Sequence, residues 1–152
     1  MSPGSSVPED RTCLFCRIAA GEIAGHVVHR DERIVAFLDT SPLLLGHTLV
    51  VPVAHIATLD ECEPGLVGPL FDAVRRMSIA VQRGLGADGS FVAINTRVSQ
   101  SIRHLHVHVV PRRGGDGLFS PRPIWKRRAY SGDQEAAEHA ARIRAAFQAE
   151  KP

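Results

Sequence analysis

The stretch Arg103-His104-Leu105-His106-Val107-His108-Val109-Val110-Pro111 places three histidines at alternate positions with aliphatic residues between them. Successive side chains of a β-strand point to opposite faces. The spacing therefore predicts a strand with three imidazoles on one face and Leu105, Val107 and Val109 in the core on the other. Imidazole is a poor core filler and titrates near neutral pH. Three of the chain's eight histidines within five residues thus indicate chemistry rather than packing.

Length and composition set the broad class of the protein. The chain has 152 residues, 44% of them hydrophobic, which favours one globular domain with a real core. Its net charge of +2 is too small to indicate a polyanion partner, so we expect no nucleic-acid binding. No apolar run approaches the ~20 residues of a membrane span, and the first residues do not form a signal peptide. We therefore expect no membrane contact and a cytoplasmic location.

Hydrophobic periodicity and turn residues predict the order of the elements. Leu66, Leu70, Val74, Met77 and Val81 recur at helical spacing and predict a long helix between residues 64 and 83, with Pro69 starting or bending it. Pro52 indicates an edge strand or a strand's end. Residues 1–11 are rich in Ser, Pro and Gly and predict a disordered tail. A short helix is expected at 15–20 and strands at 27–30, 33–39, 48–51 and, as a short buried strand, 91–94.

The last helix has a predicted start and a predicted buried stripe. Ser131-Gly132-Asp133-Gln134 resembles a capping box. The helix would bury Ala136, Ala140, Ile143 and Phe147 and pair Glu138 with Arg142 on its outer side. About five strands arranged as hairpins, with one long helix and this terminal helix, indicate an α+β domain on an antiparallel sheet. No glycine pattern supports a dinucleotide fold or a P-loop.

Two chemistries use imidazoles at alternate positions of a strand, and the spacing alone does not separate them. Three histidines can bind a metal ion such as zinc. Alternatively, one neutral imidazole attacks phosphorus or a carbonyl carbon while a neighbour moves the proton. Cys13 and Cys16 add a Cys-x-x-Cys pair, which suits a metal half-site, a redox pair or chance. The odd total of three cysteines argues against a disulfide framework.

The chain resembles the histidine triad family of nucleotide hydrolases and transferases over roughly residues 12–113. The family signature, His-x-His-x-His followed by apolar residues, matches His104 to Val110 without a gap. Residues 114–152 would be a C-terminal extension with a basic segment and the terminal helix, packed on the same domain. Further blocks occur in the family's order: Cys13-Leu14-Phe15-Cys16-Arg17-Ile18, Ala36-Phe37-Leu38-Asp39-Thr40-Ser41-Pro42, Gly46-His47-Thr48-Leu49-Val50-Val51-Pro52, His55, Asn95 and Gln100-Ser101.

The resemblance implies a reaction and its catalytic residues. His106 would attack the α-phosphorus of a nucleotide and become transiently nucleotidylated before water releases the monophosphate. His108 and His47 would support His106 and the phosphate. Gln100 and Ser101 would hydrogen-bond the α-phosphate and the leaving group.

The resemblance also implies a purine nucleotide pocket. Asp39 would accept the ribose hydroxyls, although at this position it could also be a simple turn former. Asn95 is a further candidate contact. The base would lie between Phe15, Ile18, Phe37 and Leu49, some of which could equally be plain core.

A metal site is implied as well. In family members with a Cys-x-x-Cys near the start, two thiols and two histidines bind a structural zinc, and Cys13, Cys16, His55 and His104 fill those positions here. Such a closed Cys₂His₂ set has no open coordination position, so it would fasten the chain rather than activate water. The nucleophile itself requires no divalent metal. Family members are typically homodimers joined edge to edge, so we expect a homodimer.

Two features depart from the family pattern or extend it. The loop between Asn95 and Gln100 is short and has no glycine, so Arg97 could contact a polyphosphate or be solvated. A basic C-terminal segment could reach a leaving group with several phosphates, although we favour an ordinary solvated stretch. Its members are Arg112, Arg113, Arg122, Lys126, Arg127 and Arg128.

Two rival functions stay open beside the hydrolase. One is a zinc-stabilised nucleotide-binding or interaction module with little turnover. The other is a zinc hydrolase whose metal ligands are His104, His106 and His108.

Overall fold

The computed structural model describes residues 12–121 and 126–152. The predicted disordered tail lies outside them. Their main elements form one five-stranded antiparallel sheet in the order β1-β2-β3-β5-β4 and three α-helices. The α+β class is thereby confirmed. In chain order the elements are α1 (Leu14–Ala19), β1 (Val27–Arg30), β2 (Ile34–Leu38), β3 (Thr48–Pro52), α2 (Pro64–Leu85), β4 (Gly89–Ala93), β5 (Val107–Arg112) and α3 (Asp133–Ala149).

The central strands carry side chains on two covered faces. On one face, Leu105, Val107 and Val109 join a core cluster with residues of α2 and α3. On the other face, Phe37 and Leu49 pack against α1. Every residue of β2 and β3 is buried. The sheet therefore has one face covered by the two long helices and one by α1, and the second face carries the functional groups described below.

Helix α2 confirms the predicted apolar stripe and shows how Pro69 is accommodated. The stripe is buried from Leu70 onward, and Pro69 lies inside the helix. A proline has no N–H for the carbonyl four residues earlier, which is that of Gly65. Arg33 Nη2 donates to the Gly65 carbonyl oxygen (3.5 Å). The helix continues to Leu85 and ends at Gly86, whose φ of 63° suits glycine.

Strand β4 differs from the prediction. It was expected to be a short buried strand at residues 91–94, but it spans Gly89–Ala93, is only partly buried, and exposes Val92. The reason is topological, because β4 lies at the end of the strand order and pairs with β5 alone. Pro52 is the last residue of β3, a strand inside the sheet, so it marks a strand's end rather than an edge.

The start of α3 also differs from the prediction, while its buried stripe is confirmed. The helix begins at Asp133 after Gly132, and no side chain caps it. Glu135, and not Gln134, accepts a hydrogen bond from the Ser131 N–H (3.1 Å). The prediction of a capping box formed by Ser131 and Gln134 is therefore wrong. Ala136, Ala140, Ile143 and Phe147 are buried as expected.

The predicted pair of Glu138 with Arg142 is also wrong. Arg142 Nε donates to the Gly84 carbonyl oxygen at the end of α2 (3.0 Å). The two helices approach so closely here that a Cβ on Gly84 would lie 2.7 Å from the Arg142 carbonyl oxygen. Tertiary contact with α2 thus takes Arg142 away from its helical neighbour.

Among the described residues, no helix combines the length and apolar character that a bilayer crossing needs.

Candidate functional site

The histidine run keeps its alternation but is not one strand. Strand β5 begins at Val107, so it contains His108, whereas His104 and His106 precede it. The expectation of a single strand carrying all three histidines is therefore wrong in its bounds. The reason is that β3 has ended at Pro52 and the Leu105 N–H donates to the Ile56 carbonyl (2.6 Å) in the following loop. The three histidines still lie opposite the core, but in two different environments.

His104 belongs to a cluster of thiols and imidazoles. Cys13, Cys16, His55 and His104 each offer one ligand atom, and these atoms lie within 4.8 Å of one another. Cys13 Sγ and Cys16 Sγ lie 3.4 and 3.5 Å from His104 Nδ1. Cys16 Sγ also lies 3.2 Å from His55 Nδ1. The predicted Cys₂His₂ set thus comes together as a candidate metal site, although its residues are distant in sequence.

Hydrogen bonding suits this cluster to a metal. His104 Nε2 lies 2.8 Å from the Pro52 carbonyl oxygen. A carbonyl only accepts, so the ring proton is on Nε2 and the lone pair is on Nδ1, beside the two thiols. Burial lowers the pKa of His104 to about 4, which keeps the ring neutral, as a metal ligand must be. Two thiols and two neutral imidazoles are the donors of a closed tetrahedral zinc site.

His106 and His108 instead line a cavity of about 570 Å³. The cavity lies on the α1 side of the sheet. The Phe15 ring contacts both regions, with ring centroids 6.0 Å from His104 and 5.1 Å from His106. Of the residues predicted for catalysis or nucleotide binding, the cavity is lined by Phe15, Ile18, Phe37, Asp39, Leu49, Ser101, His106 and His108.

The backbone fixes which nitrogen of His106 carries its proton. Nδ1 lies 2.6 Å from the His104 carbonyl oxygen, which can only accept. The proton is therefore on Nδ1 and the lone pair on Nε2. Burial lowers the pKa of His106, which favours the neutral form. A neutral imidazole held in one tautomer, in the wall of a cavity, can act as a nucleophile.

A second chain of hydrogen bonds fixes His47 and His108. The Leu43 N–H donates to His47 Nδ1 (3.1 Å), so His47 Nε2 carries the proton and donates to His108 Nδ1 (2.9 Å). The proton of His108 is consequently on Nε2, a buried atom without a hydrogen-bond partner among the described residues. His47 is fully buried behind His108 and does not line the cavity itself. His108 itself lines the cavity, and the tautomer of its ring is set from the backbone through His47.

Burial keeps this pair neutral. It lowers the pKa of His47 to about 3 and that of His108 to about 4. Neighbouring histidines and Arg127 lower both pKa values further through like charge. Near pH 7 neither ring is a cation, so the pair offers hydrogen bonds rather than charge.

Asp39 offers carboxylate oxygens to the cavity. Oδ1 accepts a hydrogen bond from the Ser41 N–H (2.8 Å), which is the turn interaction that the sequence left open. Oδ2 lies 3.3 Å from Arg127 Nη1 and 3.8 Å from His47 Nε2. A carboxylate has about four acceptor positions, so the turn does not exhaust it.

Two predicted residues lie elsewhere. Gln100 Nε2 donates to the Ala57 carbonyl (2.7 Å), and Gln100 Oε1 accepts from the Arg97 N–H (2.9 Å), so both ends of this side chain hold the loop. Gln100 and Asn95 do not line the cavity. Arg97 pairs with Asp60 (2.9 Å) rather than facing the cavity. The assigned roles of Gln100 and Asn95 stay predictions.

The loop from residue 96 to 100 reaches its shape without glycine. Arg97 and Ser99 have φ angles of 65° and 60°, a left-handed conformation that favours glycine. The bonds from Gln100 hold this conformation.

Among the described residues, the three triad histidines do not form one metal-binding group, since His104 belongs to the thiol cluster and His108 groups with Asp39 and His47. The zinc hydrolase with the triad as its ligands is therefore wrong.

Sequence reasoning missed two charged residues of the cavity, Asp133 and Arg127. Arg127 lines it, although the basic segment was expected to be solvated. Arg127 is 88 positions from Asp39, and no local pattern marks it among its basic neighbours.

Comparison with known proteins agrees with the fold. The HIT domain model matches residues 20–115. An uncharacterised HIT-like protein of Saccharolobus solfataricus is 39% identical over 130 residues, which are 82% of this chain and 94% of the relative. An adenylylsulfatase of Arabidopsis thaliana is 32% identical over 128 residues, which are 83% of this chain and 64% of the relative.

A solved structure is similar over nearly its whole length. It is a zinc-bound histidine triad family protein of Mycobacterium smegmatis, 34% identical, with a TM-score of 0.78 over 91% of this chain and 94% of that chain. The matching family model, the relatives and the shared fold lead to one conclusion. The chain belongs to the histidine triad family of nucleotide hydrolases and transferases.

Proposed function

We propose that this protein hydrolyses or transfers a nucleotidyl group at the α-phosphorus of a purine nucleoside phosphate derivative, through a nucleotidylated His106. The observation that carries the proposal is the hydrogen bond from His106 Nδ1 to the His104 carbonyl oxygen (2.6 Å). It leaves Nε2 with a lone pair in the wall of a cavity that also contains a carboxylate and a directed N–H donor. That combination suits attack on a phosphorus held beside the ring.

The reaction would run in two displacements. His106 Nε2 attacks the α-phosphorus, a P–N bond forms, and the bond to the leaving group breaks with its electron pair on the leaving group. Water then attacks the same phosphorus, the P–N bond breaks, and nucleoside monophosphate and neutral His106 are released. The positive character of the nucleotidylated ring is stabilised by Nδ1–H donating to the His104 carbonyl.

The other cavity residues would hold the nucleotide. His108 Nε2–H donates to an oxygen of the α-phosphate, where charge develops in the transition state. His47 is a positioning residue, because it acts through His108. The Ser101 hydroxyl reaches the α-phosphate or the leaving group, and Asp39 accepts the ribose hydroxyls. The purine packs against Phe15, Ile18, Phe37 and Leu49, which line the cavity.

The thiol cluster would have a structural role in this scheme. Zinc bound by Cys13, Cys16, His55 and His104 would supply cross-linking of α1 to the segment before β5. With four protein ligands such a site would have no open coordination position, and His106 is not among them, so the nucleophile would work without a divalent metal.

The leaving group is proposed from chemistry shared with relatives. A dinucleoside polyphosphate, a nucleoside phosphoramidate and an adenylyl sulfate all present the same α-phosphorus to His106. The similarity to an adenylylsulfatase supports an adenylyl group as the transferred part.

The test is turnover by the wild type and by His106→Ala on diadenosine tetraphosphate, adenosine phosphoramidate and adenylyl sulfate. We expect the wild type to release AMP from at least one of them, and His106→Ala to lose more than about 10³-fold in kcat. His139→Gln, on α3 and outside the cavity, is the matched control and should retain activity. Base-quenched wild type should gain the mass of one AMP less water on His106. Full activity of His106→Ala would overturn the mechanism.

The rival function is a nucleotide-binding module with little turnover. It predicts that AMP raises the melting temperature of the wild type while none of the three substrates is consumed. The directed N–H of His108 and the fixed tautomer of His106 favour the hydrolase, because binding alone does not require a nucleophile.

We also propose a homodimer through the outer edge of β4. That edge has no partner strand among the described elements, and Val92 on β4 is 39% exposed. Phe71 and Val67, one turn apart on α2, are exposed to a similar extent. An unpaired edge with apolar neighbours favours pairing with a second copy. Light scattering should give the mass of two chains for the wild type and of one chain for Val92→Lys with Phe71→Glu. An unchanged mass would contradict this interface.

A further inference from the structure

Residues 126–130, in the C-terminal extension, lie against the loop between β2 and β3. The Arg128 N–H donates to the Pro42 carbonyl (2.7 Å), and the Gly46 N–H donates to the Tyr130 hydroxyl (2.9 Å). Tyr130 is half-buried and packs against the main core. Residues 126–130 are therefore attached at two points to the loop between β2 and β3. This attachment positions Arg127, which directly precedes the first attachment point, Arg128.

Arg127 contacts the residue assigned to the ribose. Its Nη1 donates to Asp39 Oδ2 (3.3 Å) and to the Ser41 carbonyl (2.8 Å). The Arg127 side chain is 50% exposed, whereas that of Asp39 is 15% exposed. Arg127 thus occupies the outer rim of the cavity, with its charged end on the carboxylate and its other side open to solvent.

The charge balance of the cavity makes Arg127 significant. Among the described residues that line it, Arg127 is the one lysine or arginine, while Asp39 and Asp133 are acidic. His108 and the His47 behind it are neutral near pH 7, as shown above. A phosphate chain carries several negative charges, which two carboxylates and neutral imidazoles do not compensate. Among the described residues that line the cavity, Arg127 is the side chain that offers a compensating positive charge.

The rim position indicates which part of the substrate Arg127 meets. In the proposed function, the His108 N–H and the Ser101 hydroxyl hold the α-phosphate. The base packs against the apolar wall and the ribose binds Asp39, so the part of the substrate beyond the α-phosphorus would extend toward solvent. Arg127 lies on that open side, and a guanidinium binds phosphate oxygens in a bidentate manner.

We propose that Arg127 selects substrates whose leaving group carries phosphate, by exchanging partners when the nucleotide binds. The ribose hydroxyls take the place of the guanidinium on Asp39, and the released guanidinium binds the phosphates beyond the α-phosphorus. This proposal rests on the proposed function. It assigns the substrate class as nucleoside polyphosphates rather than adenylates with an uncharged leaving group.

The test compares two substrates that share the adenylyl group. Diadenosine tetraphosphate has an anionic leaving group, and adenosine phosphoramidate has an amine. Arg127→Gln should lower kcat/KM for the tetraphosphate by about tenfold, a size typical of one partly exposed charge contact, and that for the phosphoramidate by less than about twofold. Arg128→Gln is the matched control, since Arg128 lies outside the cavity and its backbone bond is kept. It should leave both values unchanged.

A binding measurement keeps the proposal testable without turnover. In the His106→Ala background, calorimetry should show that ADP binds more tightly than AMP, and that Arg127→Gln removes this preference. If neither the wild type nor any variant turns over a substrate but the ADP preference depends on Arg127, the proposed function fails, while the binding of phosphates beyond the α-phosphorus by Arg127 is supported. An equal fall for both substrates, a rise for both, or an ADP preference unaffected by Arg127→Gln would overturn the proposal.

Discussion

The first and the middle histidine of the run use the same side chain in opposite ways. His104 donates from Nε2 to the Pro52 carbonyl and leaves Nδ1 for the thiols. His106 donates from Nδ1 to the His104 carbonyl and leaves Nε2 for the cavity. Each ring is oriented by one backbone carbonyl, and the choice of nitrogen decides whether the ring is suited to bind a metal or to attack phosphorus. The backbone carbonyl that each ring donates to, and not its position in the motif, therefore decides which role the histidine can take.

The strongest test of this division removes one thiol. Cys16→Ser should reduce zinc content to below one per chain and lower the free energy of unfolding by about 3–5 kcal/mol, because a structural metal site contributes directly to folding. Urea denaturation with and without added zinc, together with metal analysis, measures both quantities. Unchanged stability of the variant would mean that the cluster does not fasten α1. His106→Ala should keep the zinc.

The reciprocal test removes the directed donor at the other end. His108→Asn should lower kcat by about 10²–10³-fold, the range found when one donor to a developing oxyanion is lost. Its zinc content should equal that of the wild type, since His108 is outside the thiol cluster. Steady-state kinetics and metal analysis on one preparation check this. Loss of the metal together with activity would contradict the separation of the two ends.

The pH dependence of stability sharpens the comparison at His47. Its pKa is about 3 in the folded protein against about 6.5 when unfolded, so the unfolded state binds the extra proton. The contribution of neutral His47 is complete above pH 6.5 and is lost as pH falls toward the folded pKa, at about 1.4 kcal/mol per pH unit. His47→Gln should therefore flatten the loss of stability between pH 6.5 and 4. Denaturation curves across that range measure it, and an unchanged slope would contradict burial of the neutral ring.

The smallest expected effect concerns the ribose. Asp39→Asn should raise KM for a ribonucleotide substrate by about tenfold, roughly the value of one charged hydrogen bond. The same substitution should leave KM unchanged for the matching 2′,3′-dideoxynucleotide, which lacks the hydroxyls. Parallel kinetics with both substrates check the assignment. An equal rise in KM for both would mean that Asp39 acts on the turn or on Arg127 rather than on ribose.

Local pattern was sufficient for most elements, whereas the resemblance to a family predicted the metal cluster. The stripe of α2, the stripe of α3 and the alternation around Leu105, Val107 and Val109 follow from side-chain periodicity, which the fold preserves. The clustering of Cys13, Cys16, His55 and His104 was implied by a family pattern. The periodicity of these elements does not depend on contacts between distant segments.

Three of the misses have one physical cause, which is contact between distant segments. Arg142 was expected to pair with its helical neighbour, but it bonds to Gly84 because α3 crosses α2 there. Strand β4 was expected to be buried, but its exposure depends on its place in the strand order. Arg127 was assigned to solvent, and its contact with Asp39 depends on how the chain returns across the sheet. The predicted division at residue 113 stays a prediction.

Helix α1 is about a turn and a half long and contributes side chains to both the thiol cluster and the cavity. Cys16 belongs to the thiol cluster, while Phe15 and Ile18 line the cavity. If zinc orders this helix, it also prepares one wall of the proposed purine site, and by reciprocity a bound nucleotide must raise the affinity for zinc by the same factor. Depletion of the metal would then weaken nucleotide binding before it unfolded the chain, so the occupancy of a site remote from the reaction would set the substrate concentration at which the enzyme works.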